Sequence, residues 1–368
     1  MKKTKPVVLF LCSYQSVYGG NFVPSLVAVE EEINRRGGAC IYAFPVRASE
    51  RTWLKQLREM GKTVITFDFT AARKQQMKQL DAVVSAYNVT VVHAHFTSIW
   101  MMELFACSHP SIRTVIHLHS DFTQGKQSLK MKLKNWLLYK VLSSRVRFIS
   151  VSPAFVVFNP KRITWLPNAL ATQRMPCEHT PGAAIRQQYG IGEKEILCEL
   201  FSWSPQVKGA DIAVEAVKIL NQAGKNYTLA LICGREVTPE KMPAWVREHT
   251  SCSGEENFLR YLPPQEDVFA YHEAANVLIS ASRSEGFSYS ILEMLSLGKP
   301  CIVSDIPGVA WCKKYPQVFV FPSENAEGCA QALLQAAGCE PSKETAFRVK
   351  TDYYIGAWVN EVIQAYGC

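Results

Sequence analysis

No C-x-x-C pair occurs among the twelve cysteines of this 368-residue chain, and the closest two, Cys329 and Cys339, stand ten residues apart. Structural metal sites and dithiol redox motifs use short spacings, so neither is expected. Cys12, Cys198, Cys233 and Cys301 lie inside apolar runs, where a free thiol behaves as a small hydrophobe; a reducing, cytoplasmic setting follows. No apolar stretch approaches the ~20 residues of a membrane-spanning helix. The run Val7–Cys12 behind Lys2, Lys3 and Lys5 is too short for a secretory signal and leads into no small-residue cleavage site. It reads as a buried strand. No G-x-G-x-x-G follows a strand candidate, which sets aside a nicotinamide dehydrogenase. No aromatic-basic RNA motif or zinc spacing is present, so nucleic acid is not an expected partner. No D-x-D tripeptide occurs, and that carboxylate pair is what many metal-dependent nucleotide-diphosphate enzymes display.

What is present is a chain that can bury a large core, with 48% hydrophobic residues and a length that suits two domains. Residues 1–170 hold 23 Lys+Arg against 9 Asp+Glu, and residues 171–368 hold 17 against 23. A net +14 in one half and −6 in the other points to an anionic partner for the first half only.

Short β-rich runs alternate with helical patterns throughout. In the first half the strand candidates are Val7–Cys12, Cys40–Phe44, Thr63–Phe67, Val91–His95, Thr114–His119 and Phe148–Ser152, with a helix over Phe22–Arg36 stopped by Gly37-Gly38. In the second half they are Ile196–Phe201, Tyr227–Cys233, Asn257–Tyr261, Val277–Ser280 and Pro300–Val303, with helices over Ala210–Ala223, Gln265–Ala274 and Tyr289–Leu297. A stretch rich in Pro, Gly and charge over Thr172–Glu195 separates the halves and ends in a weak helix, Ala183–Tyr189; the boundary is expected near Asn168–Pro181. The fold class is therefore α/β, two Rossmann-like doubly wound domains, with ligands beyond the carboxyl ends of the strands.

The most informative stretch is Ser282 to Leu295, which follows the strand Val277–Ser280. Glu285 falls in a loop, Gly286 permits close backbone approach, and a helix starts just beyond. Its N-terminal amides can hold an anion such as phosphate. Glu293, on the first turns, can accept two hydrogen bonds from a ribose diol, and Glu285 can accept from a sugar ring. A local alternative is that Ser290-x-x-Glu293 is a capping box and Glu285 a solvated loop charge.

Glu285 and Glu293 together resemble the E-x7-E signature of the retaining family 4 glycosyltransferases, which have the GT-B fold. Gly-Phe-Ser between them and Leu297 to Gly308 after them are similar to that family as well. So are Gly19-Gly20 in the first loop, His119 closing Val-Ile-His-Leu-His, Leu166-Pro167-Asn168, Lys208-Gly209 and the stretch Asn257–Ala275. The resemblance spans most of the chain and implies two lobes facing across a deep cleft, an acceptor-binding domain over 1–170 and a donor-binding domain over 171–350. It also implies that the last helix, Tyr353–Tyr366, packs back on the first domain.

On that resemblance, Lys208 would pair with the donor diphosphate, Glu293 would hold the ribose and Glu285 would contact the transferred sugar. Amides near Gly286, Phe287 and Ser288 would meet the phosphate or sugar. Gly19 and Gly20 would let the first loop approach the diphosphate, and His119 would line the reaction centre. Three positions depart from the pattern. Trp203 stands where an Arg is usual, with Arg235 and Arg283 as substitutes for the missing cation; Ala169 replaces a glycine; Gly234-Arg235-Glu236 keeps one glycine of two. His93 and His95 alternate on one strand, and with no third ligand near them in sequence, packing or acceptor lining is expected rather than a metal.

The implied activity is a retaining glycosyltransferase that needs no metal and no cofactor. It would move a hexose-type sugar from a nucleotide sugar, with UDP favoured, to a glycan or lipid-linked acceptor in bacterial surface polysaccharide or glycolipid synthesis. Lys126 to Arg147 carries seven cations among Leu129, Leu133, Trp136, Leu137 and Val141 at helical spacing, a pattern suited to lying on an anionic membrane surface. The competing reading is a GT-B protein that binds a nucleotide sugar and has lost catalysis, favoured by Trp203.

Overall fold

The computed structural model describes residues 5–119, 145–153, 161–171, 180–234 and 236–367, together with 129, 133 and 136. The chain divides into two compact units, Met1–Arg174 with Tyr353–Cys368, and Met175–Asp352. Each is built on a parallel sheet.

The first sheet contains β1 (Val7–Cys12), β2 (Ala39–Pro45), β3 (Thr63–Phe67), β4 (Val91–His95), β5 (Arg113–Leu118), β6 (Val146–Ser150) and β7 (Ile163–Trp165). They lie in the order β3-β2-β1-β4-β5-β6-β7, all parallel. Side chains alternate across the sheet, so each strand feeds two cores. Val8, Phe10 and Cys12 join the cluster of Tyr42, Phe44, Trp53 and Trp358, whereas Leu9 and Leu11 join Ile41, Phe67, Met102 and Phe105 on the other face. Burying one such aliphatic or aromatic side chain contributes about 1.5–3 kcal/mol. The last helix, Ile355–Tyr366, packs in the first of these clusters through Trp358, Val362, Ile363 and Tyr366.

The second sheet contains β8 (Ile196–Ser202), β9 (Tyr227–Cys233), β10 (Leu259–Leu262), β11 (Val277–Ser280), β12 (Cys301–Ser304) and β13 (Val318–Phe321), in the order β10-β9-β8-β11-β12-β13. Strand order reverses direction between β1 and β4 in one sheet and between β8 and β11 in the other. Loops diverge from the carboxyl ends at such a point and leave a crevice.

Several boundaries differ from expectation. β5 ends at Leu118, so His119 is the first residue beyond the strand. β6 starts two residues earlier than expected, and β10 starts two later, at Leu259. The helix expected from Gln265 begins at Val268, because the Asp267 side chain caps it by accepting from the Ala270 amide. The edge strands β7 and β13 were not expected; they are three and four residues long and show no alternation. Most of Lys126–Arg147 lies outside the described residues, though Leu129, Leu133 and Trp136 are helical and exposed. Among the described residues no helix is long and apolar enough to cross a membrane, and ten cysteines are free, eight of them buried.

One glycine sets the path of the chain at the second crevice. Gly209 has φ +67°, and a Cβ placed on it would sit 2.1 Å from the carbonyl oxygen of Ala281, just past β11. Only glycine lets the loop after β8 approach β11 this closely. Gly209→Ala should therefore lower unfolding free energy by about 2–4 kcal/mol, from left-handed strain plus the clash. Urea unfolding checks this, and a loss under ~1 kcal/mol would mean the contact is slack.

Candidate functional site

The loops after β8 and β11 bring together Lys208, Asp211, Arg283 and Glu285. After β8 the short helix Pro205–Lys208 leads through Gly209 into the helix Ala210–Gln222. The segment is held to the loop after β11 by the Arg283 amide, which donates to the Val207 carbonyl at 2.8 Å. The Arg283 guanidinium donates to the Gln206 carbonyl (2.6 Å), to both oxygens of Asp211 (2.8 and 2.7 Å) and to Glu324 (2.8 Å). Asp211 and then Glu324 raise its pKa further. Arg283 is thus a brace between loops, with its charge already matched by two carboxylates. Arg235 lies outside the described residues.

That brace delivers Lys208 to Glu285. The Lys208 Nζ donates to Glu285 Oε2 at 2.5 Å, with the two side chains 13% and 12% exposed. Ser282 Oγ donates to the same carboxylate oxygen at 3.4 Å. The Trp203 ring centroid lies 5.2 Å from the ammonium, within range of a cation–π attraction. The backbone of Glu285 is pressed against Gly308, where a Cβ would come 1.8 Å from the Glu285 carbonyl oxygen. Glycine at 308 is therefore a steric requirement of this loop.

From Glu285 the chain turns through Gly286 and Phe287, both buried, into the helix Tyr289–Ser296. Phe287 anchors the turn by stacking on Trp311 at 4.4 Å. The helix is capped by Ser288, whose side chain accepts from the Ile291 amide. This corrects the capping-box reading of Ser290 and Glu293: the cap lies two residues earlier, and Glu293 is directed inward instead.

Glu293 is 3% exposed and meets a fully buried histidine: Glu293 Oε2 lies 3.3 Å from His272 Nε2, and Glu199 Oε1 lies 2.5 Å from His272 Nδ1. Glu199 projects from β8 and His272 from the helix Val268–Ala274. Burial by itself lowers the pKa of His272, but Glu199 and then Glu293 outweigh it and hold the group at about 9. At neutral pH the bridge is an imidazolium between two carboxylates. Neither Glu199 nor His272 was anticipated from sequence. A glutamate at an inner position of the apolar strand Ile-Leu-Cys-Glu-Leu-Phe-Ser was the available signal.

The remaining expected residues, Gly19, Gly20 and His119, belong to the first unit. Gly19 is buried, and Gly20 adopts φ +58° immediately before the helix Phe22–Arg35. Asn21 beside them accepts from the Ala171 amide at 3.2 Å, joining the glycine loop to the segment after Pro167-Asn168. His119 Nε2 lies 2.9 Å from His95 Nδ1, and its ring stacks on Phe96 at 4.2 Å. Burial, aided by His117 and His93, lowers its pKa well below the ordinary value, so His119 is neutral at pH 7. Phe96 has φ +56°, a conformation a bulky residue seldom adopts. Lys208 and Glu285 are thus in direct contact, and Glu293 lies on the helix that follows them.

Residues 48–174 match the family described as Glycosyltransferase Family 4, and residues 197–339 match the one described as Glycosyl transferases group 1. Lipopolysaccharide glucosyltransferase WaaG of Escherichia coli (strain K12) is 25% identical over 153 residues, 41% of this chain and 40% of that protein. The matched segment thus spans about two-fifths of the length of that relative. A solved glycosyltransferase from Rickettsia africae ESF-5 superposes with TM-score 0.77 at 17% identity, covering 99% of this chain and 98% of that one. Anabaena Alr3699/HepE, solved in complex with UDP-glucose, superposes with TM-score 0.78 at 14% identity, covering 98% and 99%. The chain has the GT-B fold. The two matched segments fall one in each unit, and both families are described as glycosyltransferases.

The His272 bridge has a consequence for stability. Its pKa rises from 6.5 to about 9 on folding, so its contribution is complete below pH ~6.5 and is lost as pH climbs through about 9. Wild-type unfolding free energy should fall by about 3 kcal/mol across that window. His272→Gln should be less stable at pH 6 and lose this slope. A variant with the wild-type slope would show that His272 does not carry the charge.

Proposed function

We propose that this protein is a retaining, metal-independent glycosyltransferase that moves a hexose-type sugar from a UDP-sugar to a glycan or lipid-linked acceptor, in bacterial surface polysaccharide or glycolipid synthesis. The observation that carries this reading is the Lys208–Glu285 pair, set beside the capped start of the helix Tyr289–Ser296 at the β8/β11 crevice. The UDP preference is supported by UDP-glucose bound in the Anabaena structure, and the surface-glycan role by the WaaG likeness.

The second unit binds the donor. Lys208 exchanges its carboxylate partner for the diphosphate, where negative charge grows as the glycosidic bond opens. Amides at Gly286, Phe287 and Ser288 add fixed dipoles. Glu293, oriented by the His272 imidazolium, accepts from the ribose diol. Glu285, released by Lys208, contacts the sugar as it becomes oxocarbenium-like. Attack proceeds from the face the phosphate leaves, with retention, and the departing phosphate oxygen takes the acceptor proton. The first unit binds acceptor, with Gly19 and Gly20 meeting the diphosphate and His119 lining the acceptor side. Leu129, Leu133 and Trp136, exposed by 83%, 62% and 48% on one helical face within a lysine-rich stretch, support peripheral attachment to an anionic membrane.

The second reading, a nucleotide-sugar-binding protein without catalysis, is favoured by Trp203 and by a Lys208 already engaged with Glu285 and the Trp203 ring. Nucleotide release from UDP-, GDP- and ADP-sugars, with membrane lysate as acceptor source, separates the two. The proposal expects turnover with a UDP-sugar that Glu285→Ala abolishes. No turnover by wild type, with unchanged UDP-sugar affinity in Glu285→Ala, supports binding alone.

Two outcomes test the phosphate chemistry. Lys208→Ala should weaken UDP binding by about 10- to 100-fold while changing uridine binding little, as expected for a lost charge-assisted contact; calorimetry measures both, and equal losses would remove Lys208 from the phosphates. Mg²⁺ or Mn²⁺ added to EDTA-dialysed protein should leave turnover unchanged. Activity appearing only with either ion would overturn the metal-free reaction.

A further inference from the structure

The first unit contains a cluster that sugar transfer leaves unexplained. Strand alternation puts His93 and His95 on the face of β4 that also carries Val91, and His117 of β5 pairs directly with His95 in the parallel register. The partner missing near His93 and His95 in sequence is thus supplied by the neighbouring strand. All three side chains are buried at 0%, 1% and 2% exposure, and one ligating atom from each lies within 4.8 Å of the others.

The Nδ1 atoms of His93 and His95 are already engaged. His93 Nδ1 shares a 2.7 Å hydrogen bond with the Tyr366 hydroxyl, and His95 Nδ1 shares the 2.9 Å contact with His119 Nε2. The Nε2 atoms of His93 and His95 and both ring nitrogens of His117 are buried without a hydrogen-bond partner among the described residues. A neutral imidazole has one donor and one acceptor nitrogen, and leaving four such atoms unmatched in one place is unfavourable unless something polar sits between them.

We propose that His93, His95 and His117 bind one divalent transition-metal ion of the zinc class. Imidazole nitrogens select such ions over Mg²⁺ or Mn²⁺, which prefer oxygen, so this site is separate from the diphosphate chemistry. The Tyr366 and His119 contacts are the outer hydrogen bonds that orient metal-binding imidazoles. Burial lowers the pKa of all three, His117 to about 3, so the rings are neutral and able to ligate at physiological pH. Three atoms at most 4.8 Å apart lie within ~2.8 Å of a common centre, so contraction by under ~1 Å reaches the usual zinc–nitrogen length of ~2.0–2.1 Å. The ion would clamp β4 to β5 at their carboxyl ends, directly below Phe96 and His119.

The test is a Co²⁺ titration of the full-length protein, stripped with a chelator and dialysed. One equivalent should give visible d–d bands without the near-ultraviolet thiolate-to-cobalt band, Zn²⁺ should displace it, and excess Zn²⁺ should raise the melting temperature. His93→Gln and His117→Gln, checked for wild-type circular dichroism, should each weaken Co²⁺ binding at least ~10-fold. If neither variant folds, the wild-type spectrum and stoichiometry decide alone. No saturable binding, a thiolate band, or unaltered affinity in both folded variants overturns the site.

Discussion

A parallel sheet covered on both faces leaves few strand positions in water, so a polar side chain on an inner position must find its match inside the protein. This constraint acts in both units, with opposite outcomes for the same residue type. In the second, Glu199 enters the core from β8 and meets His272, which stays charged because Glu199 and then Glu293 outweigh the effect of burial. In the first, His93, His95 and His117 face one another, and burial strips them of charge. Histidine chemistry here is decided by the neighbours.

The constraint also explains why the charged contacts collect where they do. The ends of β8 and β11 are where the chain leaves the sheet in two directions, and carboxylates and ammonium groups can leave the core there without losing one another. Gly209 against Ala281 and Gly308 against Glu285 bring backbone close to backbone, so Lys208 and Glu285 share one hydrogen bond. Arg283 spends its charge on Asp211 and Glu324, stiffening the frame around that pair. Trp203 contributes a π-face beside Lys208, its ring centroid 5.2 Å from the ammonium.

Much of this was legible from periodicity. The runs Val7–Cys12, Thr63–Phe67, Val91–His95, Tyr227–Cys233 and Val277–Ser280 coincide with strands because continuous apolar sequence between turn residues has few other folds open to it. β7 and β13 escaped because an edge strand of three or four residues draws its stability from its neighbour's hydrogen bonds rather than from a pattern of its own. Ser288 and Ser290 both precede an apolar run, and only the path of the backbone shows that Ser288 is the cap.

The sequence alone determined the class of fold, the loop that carries Glu285 and the helix that carries Glu293, since these depend on local spacing and on residue types that tolerate few conformations. Tertiary structure decided which groups meet: Lys208 with Glu285 across 77 positions, Glu199 with His272 across 73, His93 with Tyr366 across 273. Hydrogen bonds and charge act over a few ångströms of space, and separation along the chain carries no record of that distance until the strands are ordered.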